Sequence, residues 1–228
     1  MNRLFFSLSF SLLFLHACQA QPPQKEGKGL YEIKSGIIEK TITANQGGFD
    51  MMTRETIYFD DYGWKEARYR EEHRTIPFIN RKEVSSSISF VEGEDIINYD
   101  PKRGTATRMK VGLRSDIMSL SKSQQQQMGD EMTEAMNAET TSLGTGMVAG
   151  KLCNISETIM KDENGREIMR AKTWLYKGIV MKTEGKGMGV ATEEVVSSLK
   201  ENASIDPAKM NLPTGTKVQE LPDFFGGN

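Results

Sequence analysis

From Leu30 onward, apolar and polar residues alternate in short runs separated by turn residues, and this pattern limits the fold more than any other feature of the chain. Val84, Ser86, Ile88 and Phe90 share one side of a run, while Ser85, Ser87 and Ser89 take the other. A period of two puts successive side chains on opposite faces, so this run reads as a strand with one wet face. Tyr31, Ile33 and Ile37 alternate with Glu32 and Lys34, but beyond Gly36 the phase flips and Ile38 and Ile42 take the parity of the charges. A flip beside a glycine predicts a bulge or strong bend in a long strand. Thr53–Asp60 reads as the next strand, Asp60-Asp61-Tyr62-Gly63 as a turn, and Trp64–Arg74 as an antiparallel partner with a charged outer side. Turns at 92–95 and 100–104 bracket further short strands, which together predict an antiparallel meander.

The pattern changes at Ser121. Met128, Met132 and Met136 recur every four residues among Asp130, Glu131 and Glu134, which makes an apolar stripe on a helix. Gly129 weakens that helix, and its end is expected near Leu143-Gly144. The stripe fits either a helix packed on the sheet or a flap that offers soft Met side chains to an apolar ligand. Strand character resumes over Lys151–Lys161, with an Asn164-Gly165 hairpin signal and a partner over Arg166–Tyr176. Trp174 and Tyr176 fall on one face there, as sheet core or as cavity lining. Ile179–Glu184 reads as a strand and Gly185 to Gly189 as a loop; Val190–Asn202 is open between strand and helix. The expected fold is therefore mainly β (α+β): a curved antiparallel sheet forming an incomplete barrel, with a helical insert packed on or over its concave face.

The N-terminus carries an address. Arg3 precedes an apolar run from Leu4 to Leu15, too short for a stable membrane span and laid out as an export signal. Leu15-His16-Ala17-Cys18 resembles a bacterial lipobox, which implies cleavage before Cys18 and acylation of that residue. The alternative is an ordinary signal cut nearby, after Ala20. The expected organisation is a signal peptide over 1–17, a lipidated N-terminus and proline-containing linker over 18–29, and a single half-barrel domain over 30–228.

Scarcity excludes much chemistry. Arg3 is the only charged residue of the first 17, so their removal leaves 28 basic residues against 31 acidic ones. No basic stripe invites nucleic acid. With Cys18 acylated, Cys153 is the only thiol and His73 the only histidine, which is too few for the usual zinc site or a histidine-assisted hydrolase. Cys153 reads as a small buried hydrophobe and His73 as a solvated residue. The acids of 60–61 and 92–95 fit turns as well as calcium or acid–base roles. Gly185, Gly187 and Gly189 lack the context of a phosphate loop. No cofactor, metal or catalytic residue is expected.

Several phrases occur in a familiar order: Tyr31-Glu32-Ile33-Lys34-Ser35-Gly36-Ile37-Ile38-Glu39, Tyr58-Phe59-Asp60-Asp61-Tyr62-Gly63, Asn98-Tyr99-Asp100-Pro101, Gly150-Lys151-Leu152-Cys153 and Trp174-Leu175-Tyr176-Lys177-Gly178-Ile179. Together they resemble an uncharacterised group of Gram-negative lipoproteins related to the lipoprotein-carrier superfamily (LolA/LolB-like). The resemblance implies a curved sheet closed by helices over an apolar cavity, no enzymatic activity and attachment to the outer membrane. On that reading the chain is a non-enzymatic, membrane-anchored lipoprotein that binds a lipid or acyl chain in the half-barrel, with Met128, Met132, Met136, Trp174 and Tyr176 as cavity candidates. The alternative is a structural or adaptor lipoprotein that works through an envelope protein partner.

Overall fold

A computed structural model of the chain describes residues 29–46, 49–76, 81–110 and 120–221. The signal segment and Cys18 lie outside the described residues. Twelve strands form one sheet: β1 (Gly36–Gln46), β2 (Phe49–Asp60), β3 (Lys65–Ile76), β4 (Arg81–Glu92), β5 (Asp95–Asp100), β6 (Thr105–Lys110), β7 (Ala138–Val148), β8 (Lys151–Lys161), β9 (Glu167–Tyr176), β10 (Ile179–Gly187), β11 (Val190–Glu201) and β12 (Lys217–Glu220). Their order across the sheet is β12-β6-β5-β4-β3-β2-β1-β11-β10-β9-β8-β7. The expected meander is present twice, and antiparallel pairing of β1 with β11 welds the two together. Only β12 pairs in parallel, on β6. The sheet is curved and open, not closed into a barrel.

The helix α1 (Lys122–Ala135) links β6 near one edge of the sheet to β7 at the other, and it packs against β7. Ser121 and Gln124 start it with a reciprocal capping box: the Ser121 hydroxyl accepts from the Gln124 N–H at 3.3 Å, and the Gln124 side chain accepts from the Ser121 N–H at 2.9 Å. It ends earlier than the methionine spacing predicts. Asn137 takes a left-handed conformation (φ 51°), and its side-chain amide donates to the carbonyls of Lys161 and Asp162. A left-handed Asn is a helix stop. Residues 138–148 therefore form a full strand, β7, where the sequence predicts the end of a helix.

The phase flip at Gly36 has a different cause from the expected bulge in one long strand. Residues 30–35 are an irregular segment, and the strand begins at Gly36. The bulge in this region falls three residues later and on the partner: Glu39 faces Ser198 and Lys40 faces Val196, so Ser197 is the extra residue. The flip nonetheless sends Tyr31, Ile33 and Ile38 into one core. Residues 185–187 and 190–201, expected as loop and as strand or helix, both extend the β10–β11 hairpin.

The core is divided between the two faces. The main cluster holds Tyr31, Ile33, Ile38, Ile57, Phe59, Val148, Cys153, Ile179, Met181 and Val196. Its members come from strands far apart in sheet order, because the β7–β11 half curls until β7 touches β11. The second cluster, Ala67, Phe90 and Met210 with partly buried Tyr58, Tyr69, Ile88, Ile97 and Tyr99, lies on the opposite face. Register shows this: Phe59 and Ile57 point one way along β2 and Tyr58 the other, and Tyr58 faces Ala67, which faces Phe90. Residues 203–212 cross over this second cluster, bringing Ile205, Met210 and Leu212 onto it.

Candidate binding cleft

On the face that carries the second cluster, cross-strand register lines side chains up in rows. One runs Glu39–Thr56–Tyr69–Ile88, and the next runs Thr41–Arg54–Glu71–Ser86. These rows floor an open cleft of about 660 Å³, which Pro101 and Ser197 also border. A third row, Thr43–Met52–His73, continues onto a neighbouring cleft of about 590 Å³, lined in addition by Ala44, Met51 and Ala191 and by the charges of Asp50, Lys82 and Glu193. Rows along a strand are about 7 Å apart, so the two clefts form a trough the length of several residues. One end is walled by residues 203–212, where the Tyr69 hydroxyl donates to the Lys209 carbonyl at 3.0 Å.

The lining has a mixed chemistry. Hydroxyls of Thr41, Thr56 and Ser86 stand among the charges of Glu39, Lys40, Arg54, Glu55, Arg70 and Glu71, and the apolar side chains are Tyr69, Ile88 and Pro101. Arg54 and Glu71 stand 4.0 Å apart with both side chains largely exposed. An exposed pair of this kind is worth ~0–1 kcal/mol, so either group exchanges its neighbour for a ligand at little cost. His73 lies half-buried beside Glu71, with 2.7 Å between Nε2 and the carboxylate.

A buried ionic group that sequence reading missed, Lys40, Glu55 and Arg70, also borders this cleft, although register turns its side chains toward the opposite face of the sheet. Glu55 is 2 % exposed. Its carboxylate meets Lys40 at 2.9 Å and Arg70 in a close ion pair, and Lys40 also reaches Glu194 at 2.8 Å. Burial by itself pushes the Glu55 carboxyl up, but the charges of Lys40, Arg68 and Arg70 outweigh it and hold the group down to about 2. Nearby, buried Glu66 accepts two hydrogen bonds from Arg68, at 2.9 and 2.6 Å, and one from the Tyr31 hydroxyl at 2.8 Å. The signal available in the sequence was the parity of Glu55, which shares its side of the run with Thr53, Ile57 and Phe59.

The five cavity candidates are not brought together in these clefts. Met128 is half-buried on α1, and Met136 is half-buried just beyond its end; the side chain of Met132 lies outside the described residues. Trp174 and Tyr176 pack partly buried against the main cluster. The ammonium groups of Lys172 and Lys182 sit 5.0 and 5.1 Å from the Trp174 ring centre, and the Tyr176 hydroxyl lies 3.0 Å from Glu201. None of the other four borders either cleft.

Cys153 is fully buried in the main cluster, and burial pushes its thiol up. Asp60 accepts from the Asp61 N–H at a turn, and Glu92 pairs with Lys65. Among the described residues, no group of three or more His, Cys, Asp or Glu is placed to hold a metal ion. Nor is any helix among them long and apolar enough to cross a membrane.

No protein-family model matches the chain, and no curated protein matches it. Solved structures similar to this chain include MucB bound to MucA from Pseudomonas aeruginosa, at 9 % identity and a TM-score of 0.45. That match covers 78 % of this chain and 55 % of the other, so this chain spans about half the length of its counterpart. The lipoprotein LppX of Mycobacterium tuberculosis matches at 9 % identity and a TM-score of 0.37, over 77 % of this chain and 90 % of that one. A putative outer membrane lipoprotein-sorting protein domain from Vibrio parahaemolyticus gives 9 % and 0.37, over 78 % and 89 %. Likeness at this level concerns the outline of a bent sheet and says nothing of activity.

Proposed function

We propose that the chain is a non-enzymatic binding protein of the cell envelope, tethered by lipid on Cys18, that holds a segment of a protein partner in the trough across β1–β4. The observation that carries this reading is the lining of the 660 Å³ cleft, where hydroxyls and opposite charges outnumber apolar side chains. An acyl chain gains from burying apolar area, at about 25 cal/mol per Å², but here it would also strip water from the charges of Glu39, Arg54 and Glu71. A polypeptide segment offers amides, hydroxyls and charges that match Thr41, Arg54, Glu71 and Ser86, with Tyr69 and Ile88 as the apolar foothold.

A second reading, an apolar ligand under the methionines of the helix, keeps its support from the half-buried Met128 and Met136. One experiment separates the two. A photo-crosslinking residue at Thr56 or Ser86 is expected to trap a protein adduct in cells, while the same residue at exposed Val218 traps none. The protein is also purified without detergent and examined by native mass spectrometry after lipid extraction. Stoichiometric acyl lipid with no adduct at Thr56 or Ser86 overturns the partner reading in favour of the acyl one.

A further inference from the structure

The end of the sheet where residues 29–35 dock also presents an apolar tip. Met147 and Leu152 face each other across the β7–β8 hairpin and remain 64 % and 61 % exposed. Their chain neighbours Val148 and Cys153 point the other way, into the main cluster. Ala149 and Gly150 between the strands both take positive φ, 46° and 74°, the geometry of a tight two-residue hairpin turn. The tip is thus fixed by the core on one side and offers a thioether and a branched alkyl group on the other.

Basic residues surround it. Lys151, beside Leu152 in the chain, takes the other face of the hairpin opposite Val148, and with Lys177 it converges on Glu201; Lys34 and Lys200 are also exposed. Acids share this end of the sheet: the β2–β3 turn that carries Asp60 and Asp61 is hydrogen-bonded to the docked segment, with the Leu30 and Tyr31 N–H groups donating to the Tyr62 carbonyl and the Tyr62 N–H to the Lys34 carbonyl, and the β4–β5 turn carries Glu92, Glu94 and Asp95.

The tether arrives at the same place. The Glu32 N–H donates to the Lys177 carbonyl at 3.1 Å, and Leu30 lies so close to Gly178 that a Cβ there would sit 2.4 Å from its carbonyl oxygen. Cys18 is eleven residues before Gly29. That length of chain spans at most about 40 Å. A lipid on Cys18 therefore holds this end of the domain next to the bilayer, and holding it there raises the effective concentration of even a weak contact.

We infer that the β7–β8 tip, Met147 and Leu152 with the lysines around Glu201, is a membrane-contact surface that seats on an anionic bilayer. The inference rests on the lipid-anchor reading of Cys18 for its tether, and it fixes an orientation that the anchor alone does not. The two side chains enter the interface, and the lysines meet lipid phosphates. The cleft across β1–β4 is left facing away from the contact.

The test uses full-length protein reconstituted into vesicles of phosphatidylethanolamine and phosphatidylglycerol. An environment-sensitive fluorophore is placed on Met147→Cys, Leu152→Cys or, as control, Val84→Cys, each in a Cys153→Ala background. Quenching by aqueous iodide is expected to fall at least threefold at 147 and 152 on reconstitution and to stay unchanged at 84. Intact mass reports whether Cys18 carries lipid. Lipid on Cys18 with labels at 147 and 152 as accessible as at 84 overturns the contact while the anchor stands. Without lipid on Cys18 the anchor reading fails, and the labels are read on excess vesicles: protection at 147 and 152 still supports the surface, and its absence overturns it.

Discussion

The two halves of the sheet solve the same problem differently. The β7–β11 half curls over an apolar face that it shares with β1 and β2, and the 30–33 segment plugs what remains, so Phe59 of β2, Met181 and Cys153 are fully buried. In the β2–β5 half the apolar patch is on the opposite face, is rich in tyrosine, and is covered only by residues 203–212. A sheet that covers itself leaves no room for a ligand on that face. A sheet covered by one loop leaves the rows beside the loop open, and the cleft is there. Stability and recognition are thus divided between faces as well as between halves.

That comparison is most exposed to a pair of core truncations. Phe59→Ala is expected to lower stability by about 3–5 kcal/mol, because the closed half cannot collapse around the void. Phe90→Ala should cost less, about 2–3 kcal/mol, since the covering loop relaxes onto the gap. Chemical denaturation of both variants measures this, and equal losses would break the comparison.

Glu55 tests the boundary between the halves. Glu55→Gln strands Lys40 and Arg70 against a neutral group and is expected to cost about 3 kcal/mol near neutral pH. The sign with pH is definite. The folded carboxyl is held down to about 2, against 4.5 as its ordinary value. Its contribution is therefore complete above pH 4.5 and is lost as pH falls from there toward 2, a swing of about 3 kcal/mol. Stability measured from pH 5 to pH 2.5 should fall more steeply in the parent than in Glu55→Gln. Parallel curves would show that the ionic group stabilises neither half.

Smaller changes sharpen the contrast. Cys153→Ala should lose about 1–2 kcal/mol and leave binding intact, as truncation of a small buried side chain does. Rapid labelling of the native thiol at neutral pH would contradict its burial. Tyr69→Phe removes the hydrogen bond to the Lys209 carbonyl and should cost about 0.5–1.5 kcal/mol. It should also loosen residues 203–212, which amide hydrogen exchange reads directly; unchanged exchange there would mean that the loop is held by Met210 and its apolar neighbours alone.

The strands around the cleft were legible because their period of two is written into local sequence, as in Val84 to Phe90 and in the turns at 60–63 and 100–104. β7 was not, because residues 138–148 follow a helix without interruption in the pattern, and the stop depends on Asn137 reaching the carbonyls of Lys161 and Asp162. Short β12 was likewise invisible, since it pairs with β6 more than a hundred residues away. Of the cleft, Arg54 and Thr56 were visible on the polar side of their strand, but Ser86 and Ile88 fall on the apolar side of theirs, and nothing local says that Thr41, Arg54, Glu71 and Ser86 stand abreast.

The sequence by itself determined the strand-forming runs, their turns and the scarcity of His and Cys, because alternation, turn chemistry and composition are local or additive properties. Tertiary structure decided which face closes and which stays open. The alternation of Ile57 with Tyr58 specifies two faces but assigns neither a cover. That assignment came from register and from segments distant in the chain: residues 30–33 over one face, residues 203–212 over the other, and the β1–β11 pairing that joins the two meanders. Contacts of that kind are selected by the total burial they achieve, which no window of sequence contains.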